Sequence, residues 1–140
     1  MRFEYPVAFE KARDGTFVIK CRDLPEVVSQ GKNAEDANLA AEGALQAAME
    51  YRIREGLDIP SPSTARRGER LVSLPPETAA KAALYLVMEE QGLSNVELAR
   101  QLDIDEKEVR RMLDPGHATK IPRIAEVLRV LGRNLRIELI

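Results

Sequence analysis

Hydrophobic and polar residues alternate through the first twenty residues of the chain. Apolar side chains recur at every second position from Phe3 to Phe9 and from Phe17 to Cys21, and Ala12–Gly15 supplies a turn between the two runs. Period-two alternation is typical of strands with one buried face. The pattern therefore predicts a β-hairpin, with a third short strand at 27–29.

A long helix is predicted next, from a cap at Asn33 to about Glu55. One face of it is rich in alanine and the opposite face is polar, which suits close packing on a sheet. The apolar face consists of Ala37, Ala41, Leu45, Ala48 and Met49. Gly56 ends the helix, and a Pro/Ser-rich stretch at 59–69 is interpreted as a linker. With a strand at 70–74, these elements predict an N-terminal domain of residues 1–75.

Residues 92–114 have the pattern of two short helices joined by a tight turn. Ser94 and Glu97 predict a capping box, Asp105 predicts the start of the second helix, and Asp103 stands at a left-handed turn position that favours glycine. The inward positions are Leu98, Ala99, Leu102, Ile104, Val109, Met112 and Leu113. This is the layout of a helix-turn-helix, between helices predicted at 77–91 and 121–131, and it makes DNA the first partner to consider. The alternative is a packed pair of helices with a solvated outer face.

Four residues are predicted on the outer face of the second helix of the motif: Glu106, Lys107, Arg110 and Arg111. Lysine and arginine can donate to guanine O6 and N7, and a glutamate can accept from the cytosine amine. We expect these side chains to read bases in a major groove. Within this C-terminal domain of residues 76–140, DNA is the expected ligand.

The last seven residues alternate again, and the apolar positions are Leu135, Ile137 and Leu139. The pattern predicts a strand that has no partner nearby in sequence. We expect it to pair with the same strand of a second copy, giving a homodimer or a higher even-numbered oligomer. The alternative is that it pairs inside its own domain.

Composition limits the class of protein. The chain has 140 residues, 44% of them hydrophobic and 31% charged, which is a globular balance. There is no apolar run of membrane-spanning length and no signal-peptide pattern at the start, so we expect a cytoplasmic protein that contacts no membrane. Residues 1–60 carry 11 acidic and 8 basic side chains, and residues 61–140 carry 12 and 13. Because neither half is strongly basic, tight DNA binding would need at least a dimer.

An enzyme is not expected. Asp14, Asp23 and Glu26 stand at predicted strand ends, but a metal-dependent nuclease needs further converging carboxylates, and none is evident. His117 is the single histidine, so a catalytic pair or a histidine-rich metal site is absent from the pattern. The single cysteine, Cys21, is expected to be a buried hydrophobe. We therefore predict neither a cofactor nor a metal.

The order of these elements resembles the HicB family of antitoxins, in the subgroup with a helix-turn-helix. The resemblance covers nearly the whole chain and is carried by Asp14–Ile19, Asp23–Glu26, Ser29–Gly31, Glu35–Ala37, Ile59–Ser63, Leu98–Leu102, His117–Ile121 and Leu131–Gly132. Glu26 and Asp103 depart from it, because glycine is usual at both positions. The fold it implies is α+β: a small antiparallel sheet with one helix, degenerate and ribonuclease-H-like, followed by an all-α domain that ends in a dimerising strand.

The resemblance implies two tasks. The N-terminal domain would bind and mask a HicA-type toxin, an mRNA-cleaving ribonuclease, and the C-terminal domain would repress the operon. A toxin that binds RNA should be basic, so Asp14, Asp23 and Glu26 are candidates for the toxin contact. An equally good interpretation is that these three residues only occupy turns and solvated strand edges. The resemblance also favours phosphate contacts by Thr119 and Lys120, and Asn95 is placed for a similar contact. The alternative function is a free-standing transcription regulator whose N-terminal domain senses a ligand or dimerises.

Overall fold

The computed structural model describes residues 1–140, which form four strands and five helices. The elements are β1 Glu4–Lys11, β2 Phe17–Cys21, β3 Val28–Gly31, α1 Ala34–Glu55, β4 Glu69–Ser73, α2 Pro76–Gln91, α3 Asn95–Leu102, α4 Glu106–Leu113 and α5 Ile121–Val130. They divide into two compact units: the first comprises Met1–Arg52 and Leu57–Pro75, the second Ile53–Gly56 and Pro76–Ile140. The prediction of an α+β protein is confirmed.

The first unit contains one antiparallel sheet with the strand order β3-β2-β1-β4. The hairpin register pairs Val7 with Cys21, and β4 lies on the other side of β1 with Tyr5 opposite Val72. Tyr5, Val7 and Cys21 are buried, as the alternating pattern predicts. Burial raises the pKa of the Cys21 thiol, so this cysteine is a small core residue.

Helix α1 begins as predicted, because the side chain of Asn33 accepts the backbone N–H of Asp36 at 2.9 Å and Asp36 in turn accepts the N–H of Lys32. All five alanine, leucine and methionine positions of its predicted apolar face are buried. At Gly31 the strand comes so close that an added Cβ would stand 2.4 Å from the backbone nitrogen of Ala37. The small residues at this point therefore permit the closest approach of helix and sheet.

The Pro/Ser-rich stretch is tied to the rest of the first unit at several points. The Tyr5 hydroxyl donates to the Pro60 carbonyl at 2.8 Å, and Arg22 donates to the Thr64 carbonyl at 2.7 Å. Asp23, whose side chain is only 8% exposed, accepts both the N–H and the hydroxyl of Ser63. These contacts are made within one compact unit, so this stretch is part of that unit's structure.

The second unit is all-helical around a single core. Helices α2 to α5 contribute its buried side chains: Ala80, Leu84, Val87, Met88, Leu98, Ala99, Val109, Met112, Ile124, Val127, Leu128 and Leu131. Helix α5 ends at Val130, and the chain turns at Gly132, which has a φ of 81°, as the sequence predicts.

The C-terminal tail forms no strand in this single chain. The tail joins no strand of the sheet, so the structure contains neither the predicted C-terminal strand nor its pairing inside the domain. Leu135 was expected to pair with the tail of a second copy, but it packs against the helical core of its own chain. Ile137 and Leu139 are 75% and 99% exposed. A strand needs a hydrogen-bonded neighbour, and the single chain offers none to these residues.

Candidate functional site

Helices α3 and α4 are joined by a turn whose geometry follows from three local residues. Ser94 caps α3 by accepting the Glu97 N–H at 3.1 Å, and Asp105 caps α4 by accepting the Lys107 N–H at 2.8 Å. Asp103 adopts the left-handed conformation, with φ 54° and ψ 47°. The return half of the predicted capping box, from Glu97, is not made. The sequence thus specifies where both helices begin and where the chain turns.

One face of each helix of the pair is sealed in the core. Leu98 and Ala99 of α3 and Val109 and Met112 of α4 are buried, and Ile104 in the turn packs against them. Helix α4 has eight residues, about two turns. Because side chains repeat around a helix every 3.6 residues, the buried positions determine which of the remaining side chains point outward. The outward set is as predicted: Lys107, Arg110 and Arg111 are exposed, and Glu106 is half-buried.

The charges on the outer face of α4 are unevenly paired. Glu106 Oε1 lies 3.5 Å from Arg110 Nε, one turn away on the same helix. The side chains of Arg110 and Glu106 are 60% and 42% exposed, so this contact is weak and can be exchanged for another partner. Lys107 and Arg111 form no ion pair within the chain. The face therefore offers two unengaged cations and a third that is held loosely.

The three residues expected to touch phosphate lie at different places around α4. Asn95 is the first residue of α3, and Lys120 is exposed at the cap of α5. The Thr119 hydroxyl lies 3.4 Å from the carbonyl oxygen of Arg111, which brings the loop before α5 to the end of α4. The Thr119 hydroxyl is thus already engaged within the protein.

Lys81 lies in α2 among alanines, and no motif in the sequence marks it as a functional residue. Its ammonium group is buried and donates to the loop that carries Thr119. The sequence feature that could have indicated its role is a lysine on the apolar side of a helix, because a buried charge without hydrogen-bond partners would be costly.

The three acidic residues proposed for toxin contact are not brought together as a cluster. Asp14 accepts the N–H and hydroxyl of Thr16 in the hairpin turn, and these bonds lower the pKa of its carboxyl. Asp23 holds Ser63, and Glu26 accepts from the Arg52 guanidinium, with Arg52 Nε at 3.0 Å. Each carboxylate thus has a structural partner.

Neither a metal centre nor a membrane span is evident in the chain. No group of three or more His, Cys, Asp or Glu side chains is arranged to hold an ion. None of the helices combines the length and the apolar character needed to cross a bilayer.

Comparison with known proteins identifies the family. Residues 4–83 match the model of the HicB-like antitoxin of bacterial toxin–antitoxin systems. The chain is 37% identical to antitoxin HicB 2 of Photorhabdus laumondii over 133 residues, which cover 95% of this chain and 94% of that protein. It is 30% identical to antitoxin HicB of Pseudomonas fluorescens, over 95% of this chain and 91% of the relative, and 28% identical to that of Escherichia coli K12, over 97% and 99%. The family match and the near-complete coverage of these relatives agree with the resemblance drawn from the sequence. The chain belongs to the HicB-like antitoxins of bacterial toxin–antitoxin systems.

Proposed function

We propose that this antitoxin masks a HicA-type, mRNA-cleaving toxin with its first unit and represses its own operon by binding operator DNA with its second unit. The observation that carries the DNA-binding part is the outer face of α4, where Lys107, Arg110 and Arg111 are exposed above a fully packed inner face. A short helix presented in this way after a tight turn suits insertion into the major groove.

Base reading falls to the outer face of α4. Lys107, Arg110 and Arg111 can each donate to guanine, while Glu106 can release Arg110 and accept from a cytosine amine. Glu106 repels phosphate and so lowers affinity while adding discrimination. Asn95 and Lys120 contact the phosphate backbone and set the register of the helix, and Thr119 joins them by exchanging its contact with the Arg111 carbonyl for a phosphate oxygen.

Operator binding is tested by Arg110→Ala together with Arg111→Ala, using a duplex that carries the DNA immediately upstream of the operon. Each bidentate base contact contributes about 1–3 kcal/mol, so the double variant should lose at least about 30-fold in affinity. Arg129→Ala is the matched control, since Arg129 is also an exposed arginine of the second unit but lies in the last turn of α5. A double variant that still binds with wild-type affinity would contradict the assignment of α4.

Two copies are needed to place two α4 helices on a palindromic site, and we propose that the C-terminal tails join them. Ile137 and Leu139 are apolar and almost fully accessible in the single chain. Ile137→Asp with Leu139→Asp should therefore give monomers by light scattering without loss of helical signal. Val28→Asp, which changes an apolar residue of the sheet that is 67% exposed, should leave the mass unchanged. A dimeric tail variant would refute the proposal.

Toxin masking is proposed to use individual carboxylates of the first unit, with Asp14, Asp23 and Glu26 as candidate contacts. Asp14 is the best test of the three, because its carboxylate is exposed at the hairpin turn. Co-expression with the product of the neighbouring gene should recover a complex, and Asp14→Asn should weaken it most at low salt. Glu35→Gln is the control, an exposed carboxylate at the start of α1. Failure to recover any toxin complex would refute the masking function.

A further inference from the structure

Lys81 is a buried cation that joins α2 to the end of α4. The residue is 3% exposed. Its Nζ donates to the carbonyl oxygens of Asp114 at 2.5 Å, of Arg111 at 3.4 Å and of His117, and lies 3.3 Å from the Thr119 hydroxyl oxygen. An ammonium group has three protons, so these four oxygens saturate it.

The end of α4 explains why a cation lies there. The last carbonyls of a helix have no partner within the helix and carry the negative end of its dipole. A left-handed glycine usually completes such an end, but α4 ends at Asp114 with φ −71° and ψ 114°, which is extended backbone. Lys81 reaches across from a neighbouring helix and supplies both donors and positive charge.

We propose that Lys81 is a positioning residue for DNA binding, which rests on the function proposed for α4. Its bonds hold the end of α4 and the loop of residues 114–120 in one arrangement relative to α2. The short bonds hold the carbonyl groups of Asp114 and His117. The Arg111 carbonyl and the Thr119 hydroxyl lie within 3.4 Å of the same ammonium group, and Lys120 follows Thr119 in the chain. Lys81 thereby sets the spacing between a base-reading arginine and the adjoining phosphate contacts, although it lies too deep to touch DNA itself.

Lys81→Met tests the role, because it keeps most of the side-chain volume and removes the donors and the charge. We expect at least a tenfold loss of affinity for the upstream duplex, the scale of one charge-assisted hydrogen bond. Amide hydrogen exchange should accelerate in residues 111–120 while the buried amides of α2 and α5 keep their protection. Wild-type affinity together with unchanged exchange in 111–120 would overturn the proposal.

A matched destabilising variant separates positioning from overall stability. Val127→Ala removes buried volume from α5 in the same core without removing any bond to residues 111–119. At a temperature at which both variants are folded and equally stable, only Lys81→Met should lose operator affinity. Equal losses in the two variants would show that Lys81 acts through stability alone and would overturn the proposal.

Chemical rescue provides the second variant. Lys81→Ala removes the atoms of an n-propylammonium ion, so added n-propylammonium should restore duplex binding relative to wild type in the same buffer, and tetramethylammonium, which cannot donate, should not. Equal effects of the two ions would count against the assigned hydrogen bonds. If wild-type protein itself does not bind the upstream duplex, the proposed repressor function fails; if it binds and the Lys81 variants bind equally well, only the positioning role fails.

Discussion

Gly31→Ala is expected to destabilise the first unit selectively. Gly31 is buried at the end of β3, opposite Phe17 in the sheet. The added methyl carbon would stand 2.4 Å from the Ala37 backbone nitrogen, 2.5 Å from its Cα and 2.9 Å from its Cβ. Because two of these three atoms belong to the backbone of α1, no change of side-chain rotamer can relieve the overlap.

The size of the effect follows from this geometry. Adding volume to a packed core costs about 1–3 kcal/mol when side chains can adjust, and more when the backbone must move. We therefore expect a loss of about 3 kcal/mol or more from the first unit, a large part of the 5–15 kcal/mol typical of whole domains. Ala37→Gly should not rescue the variant, since it removes only the Cβ contact.

Gly43→Ala is the matched control. Gly43 lies in the interior of α1, is exposed, and has open space where a Cβ would stand. Replacing a glycine inside an exposed helix should stabilise the first unit by up to about 1 kcal/mol. The same chemical change is thus predicted to have opposite signs at the two positions.

Native-state amide exchange in urea measures both variants within one molecule. The amides of Leu45 and Met49 report on the first unit, and that of Leu98 provides an internal reference in the second. Gly31→Ala should lower protection at Leu45 and Met49 but not at Leu98, weaken toxin binding and retain operator binding. Unchanged protection, or full rescue by Ala37→Gly, would refute the steric argument.

Three further predictions concern other parts of the chain. The buried Cys21 thiol should resist iodoacetamide at pH 8 until denaturant is added, and rapid labelling of the native protein would show that β2 is accessible. Asp103→Gly should raise the urea midpoint of the second unit and Asp103→Val should lower it, because a β-branched residue is strained at φ 54°; the reverse order would contradict the turn geometry. Hydrogen bonds from Thr16 and Arg22 lower the pKa of Asp14 and of Glu69 below the unfolded value near 4, so their stabilisation is complete above that pH and is lost as the pH falls through the folded-state pKa. The urea midpoint of the first unit should therefore fall below about pH 4, and Asp14→Asn with Glu69→Gln should flatten that fall; an unchanged pH profile in the double variant would refute it.

Helices α3 and α4 could be predicted from the sequence because their ends are set by local interactions. The caps Ser94 and Asp105 and the left-handed Asp103 act through atoms within a few residues of each other, so their consequences follow from the sequence alone. The same holds for the outward face of α4, since its period is fixed once the buried positions are known. The family follows from the order of these elements, which is itself a property of the sequence.

Contacts between distant segments were decided only by the tertiary structure. Lys81 meets carbonyls 30 to 36 residues away, and Asp23 meets Ser63 40 residues away; neither partner is marked by any local pattern. In the C-terminal tail a local pattern is present but its tertiary partner is not. The alternating residues have the pattern of a strand, and a single chain gives that strand no hydrogen-bonded neighbour. The sequence by itself determined the helices, the strands of the first unit and their exposed faces, because those depend on short-range periodicity and capping. Which buried polar groups satisfy one another was decided by chain packing, because a hydrogen bond between distant residues exists only once the fold has brought them together.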